Sequence, residues 1–273
     1  MKDFIQEHEI QGADYIKLMQ EDCTSLALPT GSFPSATLEL QAVIVGAAHA
    51  KNMIAVGHAT SVVSTEVILK SGCDGVTHTF VDQAPTDAII ELYKEKGAFV
   101  IPTLVTLSSL TNEEHELRNQ FVAVASSLPG LADDFTRSVM AQTISAGASE
   151  ARIENAYESI RRLKQAGIDI VAGTDSIPGL KGTAVGPSMW QELYMLVERC
   201  GLSVEEALSS ATAVSARRFG FHDLGVVEEG KRADLILVKG SIQEDISGLW
   251  KGLVSVWKAG LLAIRLEEQE SKV

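Results

Sequence analysis

Short, nearly continuous apolar runs alternate along the chain with longer segments whose apolar positions recur at helical spacing. The runs DYIKLM (14–19), MIAVGH (53–58), GVTH (75–78), AFVIPT (98–103) and IDIVAGTDS (168–176) read as strands. TLELQAVIVGAAHAKN (37–52), STEVILKSG (64–72) and TDAIIELYKEKG (86–97) read as the helices between them, and residues 111–166 are expected to be mostly helical. Such alternation predicts parallel strands joined by right-handed crossovers. Helices are predicted again over 187–201 and 203–220; in the second, Ser203 and Glu206 stand at capping-box spacing and Gly220 closes the end. The tail changes character. ADLILVKG (233–240) and LVSVWKAGLLAIRL (253–266) read as strands with turns, so the expected division is an α/β unit over 1–222 and a small β element over 223–273.

Composition narrows the partners. A net charge of −13 and a pI near 4.9 would repel nucleic acid and anionic membranes alike. The three cysteines, Cys23, Cys73 and Cys200, are far apart and odd in number, which fits a reducing compartment and buried thiols. The opening MKDFIQEHEI has no apolar core of a signal peptide, and no run of about 18 apolar residues occurs. A cytoplasmic location is the expectation.

Candidate chemistry sits at strand ends. Lys17 lies near the end of the first predicted strand, His58 ends the second, His78 the third, and Asp175 the last. In α/β barrels and open α/β sheets, function collects at the carboxyl ends of the strands. Each residue also has a plain structural use: Asp175 as a turn former, Lys17 with its stem in the core and its amine in water, each histidine as a hydrogen-bonded structural group. Their common position at the same end of successive strands favours a shared site. His49 falls near a helix C-terminus, where a cation complements the dipole. His8, His115 and His222 lie in polar surroundings, and all four are left outside the site.

The segments GADYIKLM, HAKNMIAVGHATS, GVTHTF, GAFVIPTL, GIDIVAGTDS, GLSVEEALSSATAVSARRFG and GVVEEGKRADLILVKG stand in an order that resembles the amidohydrolase superfamily. The likeness is to its imidazolonepropionase-like branch, which includes metal-dependent dipeptidases, and it runs from about Gly12 to Gly260. It implies a (β/α)8 TIM barrel with one or two divalent metals, zinc being the expected ion, and a piece of a small β-sandwich at the C-terminus. By motif position Lys17 matches the carboxylated lysine that bridges two metals. His58 and His78 match the histidines of the fifth and sixth strands, and Asp175 the aspartate of the eighth. The metal ligands implied are therefore Lys17, His58, His78 and Asp175, with Asp175 also moving the proton of the attacking water.

One part of the family pattern is missing. The family's first strand carries an H-x-H pair, and no H-x-H occurs in this sequence. The five predicted strands would then be the fourth to the eighth, and five strands cannot close an eight-stranded barrel. A truncated product or alternative isoform, an incompletely assigned reading frame and one piece of a split protein all fit. Where the family commonly has a histidine, this chain has Pro187, Ser188, Met189 and Trp190, and Trp190 reads as helix packing. The expected function is metal-dependent hydrolysis of amide or peptide-like carbon–nitrogen bonds in a small-molecule substrate. Little or no activity is expected of this chain alone, with a second copy or a partner completing the barrel. The alternative is a catalytically dead remnant acting as a binding or regulatory subunit.

Overall fold

The structure is a computed structural model and describes residues 2–128 and 130–266. Helix α1 (Lys2–Ile10) opens it and buries Ile5, an element that the charge-rich opening segment conceals from periodicity. There follow β1 (Tyr15–Met19), α2 (Leu38–His49), β2 (Ile54–His58), α3 (Val62–Lys70), β3 (Gly75–Thr77), α4 (Asp87–Lys96) and β4 (Phe99–Ile101). The four strands form one parallel sheet in the order β1-β2-β3-β4. The side chains of Thr37, Ser61 and Thr86 cap α2, α3 and α4 by accepting the N–H groups of Leu40, Ser64 and Ile89.

The strand expected at 168–174 is only a single parallel bridge, Ile170 beside Val100. Val100 N–H donates to Asp169 and Val171 N–H to Val100, at 3.1 and 2.8 Å. Beyond that point the ladder stops, because the next donor on β4 would be Pro102, which has no N–H, and Ala172 N–H, on the side away from β4, binds the carbonyl of Ser210.

The long helical stretch is also subdivided. It holds α5 (Leu104–Leu110), α6 (His115–Ser127), α7 (Asp134–Met140) and α8 (Ile153–Gln165), with 141–152 outside any helix. In that interval the N–H groups of Ser145, Ala146 and Gly147 bind back to Ser109 and Leu110 at the end of α5. Next come α9 (Pro187–Glu198), α10 (Val204–Ala211) and α11 (Ala213–Arg218). The helix expected over 203–220 breaks at Thr212, whose φ of −129° and ψ of −92° are not helical. Both halves of the capping box between Ser203 and Glu206 are present.

The tail holds β5 (Leu235–Val238), the short α12 (Gly248–Lys251), β6 (Leu253–Lys258) and β7 (Leu261–Arg265). The three strands are antiparallel in the order β5-β6-β7. Ile236, Leu237, Leu261, Leu262 and Ile264 are exposed on this sheet. Trp250 anchors the tail on the helices: it stacks on Trp190 with ring centroids 6.2 Å apart and meets Phe121 edge-on at 5.2 Å. Trp190 is thus a packing residue.

The parallel sheet separates two apolar regions. Ile16, Leu18, Ala55, Val76, Val100 and Ile170 join the large core shared with the helices. Alternate residues face the other way, where Val56, Phe99 and Val171 cluster with Ile54, Ile101, Val214 and Phe219. Parallel pairing sets Lys17 beside Val56, and His58 beside both Met19 and Thr77. Lys17 and His58 therefore share the face opposite the large core. All three cysteines are buried and unpaired as disulfides. Among the described residues, no helix is long and apolar enough to cross a membrane.

Candidate active site

The carboxyl ends of the strands gather the predicted residues. His58 is the last residue of β2, His78 follows β3 directly, and Asp175 lies five residues beyond the Ile170 bridge. His78, Thr103 and Asp175 all have positive φ, at 70°, 54° and 53°. That conformation is uncommon outside glycine and costs most for a β-branched residue such as threonine. Three strained residues at neighbouring strand ends mark where the surroundings dictate backbone geometry.

The imidazole rings of His58 and His78 meet edge to face, with centroids 4.6 Å apart. His78 Nδ1 lies 2.6 Å from Thr103 Oγ1 in a buried contact, and its Nε2 is 3.8 Å from Asp175 Oδ2. His58 Nε2 is 3.2 Å from Glu21 Oε2. Burial drives the pKa of His78 well below the ordinary imidazole value, and the charges of His58 and Lys17 push the same way. Burial likewise lowers the Lys17 ammonium pKa, opposed by the charge of Asp175. The four residues are thus electrostatic neighbours, and Lys17, on an exposed face of β1, is the outermost of them with Asp175.

Glu21 and Thr103 escaped the sequence reading. Glu21 is buried just beyond β1 and accepts from Thr60 Oγ1 and, at 2.7 Å, from Cys23 N–H. Burial raises its pKa, but the hydrogen bonds from His58, Thr60 and Cys23 outweigh this, and the carboxyl titrates below its ordinary value. An ionised Glu21 accepts the Nε2–H of His58, which leaves Nδ1 as that ring's lone-pair nitrogen. The only hint in the sequence was a charge immediately after an apolar strand, and a surface acid gives the same signal. Thr103 offered no hint at all.

Glu192 is the other buried carboxyl nearby. Its Oε1 and Oε2 accept the N–H groups of Leu104 and Val105, at 2.8 and 2.9 Å, at the start of α5. Burial pushes its pKa from 4.5 up to about 8, against the pull of those two donors. A carboxyl raised in the folded state stabilises fully below its unfolded value and loses that contribution as pH climbs towards 8. Glu192→Gln should therefore flatten the fall in melting temperature between pH 4.5 and 8. An unchanged slope would show that Glu192 is not the group responsible.

The donor types suit a divalent cation: two neutral imidazoles and two carboxylates. The arrangement gathers them as two pairs, His58 with Glu21 and His78 with Asp175. Among the described residues, no group of three or more histidine, cysteine, aspartate or glutamate side chains is placed to hold an ion. Lys17 must supply a ligand, or the pairs must close together, before an ion is held.

Fold and site together define an α/β protein with its polar chemistry at the carboxyl ends of parallel strands. The amidohydrolase family pattern matches residues 4–262, and the chain belongs to that family. It is 27% identical over 259 residues to ochratoxinase of Aspergillus niger, covering 92% of this chain and 46% of that protein. Over 89 residues it is 38% identical to imidazolonepropionase of Cutibacterium acnes, covering 33% of this chain and 22% of the relative. A crystal structure described as a Xaa-Pro dipeptidase with bound methionine superposes with a TM-score of 0.68 at 27% identity, over 96% of this chain and 57% of that one. The chain spans about half the length of the ochratoxinase it matches.

Proposed function

We propose that this chain is the metal-binding part of a hydrolase that cleaves carbon–nitrogen bonds of amide or peptide-like small molecules. The observation that carries the reading is the convergence of His58, His78 and Asp175, with Lys17 beside them, at one end of a parallel sheet in an amidohydrolase-family chain. The relatives named ochratoxinase and Xaa-Pro dipeptidase support this substrate class. In this reading the strands correspond to the fourth to eighth of a (β/α)8 barrel, and the tail sheet to part of a small β-sandwich.

Lys17, His58 and His78 would hold the ion, zinc by preference, with Asp175 at its edge. When bound, the ion supplies Lewis acidity to a scissile carbonyl. The protein's own groups do the rest. Thr103 Oγ1 accepts a hydrogen bond from His78 Nδ1–H and leaves the Nε2 lone pair free, while Glu21 orients His58 in the opposite tautomer. Asp175, half-exposed and 3.8 Å from His78 Nε2, is placed to accept a proton from attacking water and return it to a leaving amine.

The exposed side of β1, with Tyr15, Lys17 and Met19, leaves this site open to solvent. Water there weakens every charge interaction, so activity of this chain alone should be slight, and a second copy or a partner would close the barrel. The division of the donors into two pairs favours a second reading, a non-catalytic binding subunit. Metal analysis and an amide and dipeptide hydrolysis panel, run with Asp175→Asn, separate the two. Asp175→Asn should lower any turnover by about 10²–10⁴-fold. Turnover indifferent to that change would remove Asp175 from the mechanism, and a metal-free, inactive chain in every assembly state seen by light scattering would favour the binding subunit.

A further inference from the structure

The start of α5 touches both halves of the His78–Asp175 pair. Thr103, the residue before the helix, is 1% exposed and holds His78 Nδ1 at 2.6 Å. One turn on, Thr106 Oγ1 donates at 2.6 Å to the carbonyl of Thr174, the residue before Asp175. Thr103 makes no side-chain cap to its own helix, because its hydroxyl is engaged by the imidazole. The orphan N–H groups of Leu104 and Val105 are met instead by Glu192, which reaches in from α9 and is fully buried.

Deepening the proposed function, we infer that Glu192 is a positioning residue for the metal site: it clamps the first turn of α5, which holds His78 in its ligating tautomer and Asp175 in place. The chain of contact is continuous. Glu192 fixes the backbone of 104 and 105; that backbone fixes Thr103 in a left-handed conformation it would not choose; and Thr103 Oγ1 accepts the hydrogen bond of His78 Nδ1–H. A ligand whose other nitrogen is hydrogen-bonded keeps its ring orientation without entropic cost at the moment of binding. Both carboxyl oxygens keep lone pairs whether the group is ionised or protonated, and each meets one backbone donor. Glutamine offers one, and turns an amide N–H₂ against the second backbone donor.

The test compares Thr103→Val, Thr103→Ser and Glu192→Gln with the unaltered chain by two readouts: zinc titration calorimetry, and ¹⁵N NMR of the imidazole nitrogens in metal-free protein. Outer partners of metal-ligating histidines are typically worth about 10–100-fold in affinity. Thr103→Val and Glu192→Gln should each lose affinity in that range, and Thr103→Ser, which keeps the hydroxyl, should stay within about threefold of wild type on the same scale. In metal-free protein both weakened variants should lose the single Nδ1–H tautomer of His78, which Thr103→Ser keeps. Wild-type affinity and tautomer in Glu192→Gln would overturn the inference, as would equal losses in Thr103→Ser and Thr103→Val. If the unaltered chain binds no zinc, the metal reading fails. The positioning role is then judged by the tautomer alone: lost in Glu192→Gln it stands, kept it falls.

Discussion

His78→Ala is expected to lower zinc affinity by more than about 100-fold, beyond the loss typical of outer-sphere partners. His78 is buried, its Nδ1 is occupied by Thr103, and its Nε2 faces Asp175. Burial holds the ring neutral, so no proton competes with a cation for the lone pair at neutral pH. Alanine removes the donor and leaves Asp175 without its imidazole neighbour. His49→Ala is the matched control. His49 pairs with Asp74 at 2.8 Å on the surface, so its loss should leave zinc binding unchanged. Calorimetric titration of both variants checks this, and His78→Ala that binds zinc as the wild type does would exclude His78 as a ligand.

Phe99→Ala should cost about 3–5 kcal/mol of stability, the usual loss for emptying a large core site. Phe99 lies on the site-facing side of the sheet, almost fully buried beside Val56 and Val171. Its ring fills the space over Gly75, where an added Cβ would come within 2.4 Å of it, and it meets Phe219 edge-on at 5.6 Å. Removing the ring opens a void under the strand that leads into His78. Phe135→Ala, at a residue 64% exposed, should stay within about 0.5 kcal/mol of the wild type. Urea unfolding of the pair decides the matter, and equal midpoints would show that this second apolar cluster adds little.

The order of strands and helices was legible because burial on both faces of a parallel sheet demands short apolar runs. β1, β2, β3 and β4 lie within the runs that periodicity marked, and α2, α3 and α4 fall between them behind threonine and serine caps. The fifth strand shrinks to one bridge for a reason that apolar periodicity does not weigh. IDIVAG is apolar enough for a strand, but the next ladder donor on β4 would be Pro102, which has no N–H, while Ala172 N–H points away from β4 and binds Ser210 some forty residues on. The irregular 141–152 has a tertiary cause, since the carbonyls of Ser109 and Leu110 on α5 take the N–H groups of Ser145, Ala146 and Gly147.

The site divides along the same line. Lys17, His58, His78 and Asp175 were readable because a titratable residue at the end of an apolar run breaks a pattern, and several such breaks at strand ends point to one place. Family membership was readable too, since it rests on the order of motifs along the chain. Glu21, Thr103 and Glu192 were not. An acid after a strand, a threonine before a helix and a glutamate within an amphipathic helix are ordinary in sequence. Their roles arise only when folding buries them and leaves each polar atom to find its partner: Glu21 on His58, Thr103 on His78, and Glu192 on the start of α5. Periodicity along a chain reports which residues leave water, because that depends on each residue's own face of its element. Which buried polar groups then meet depends on approaches between segments up to 88 residues apart, and those only the tertiary structure decides.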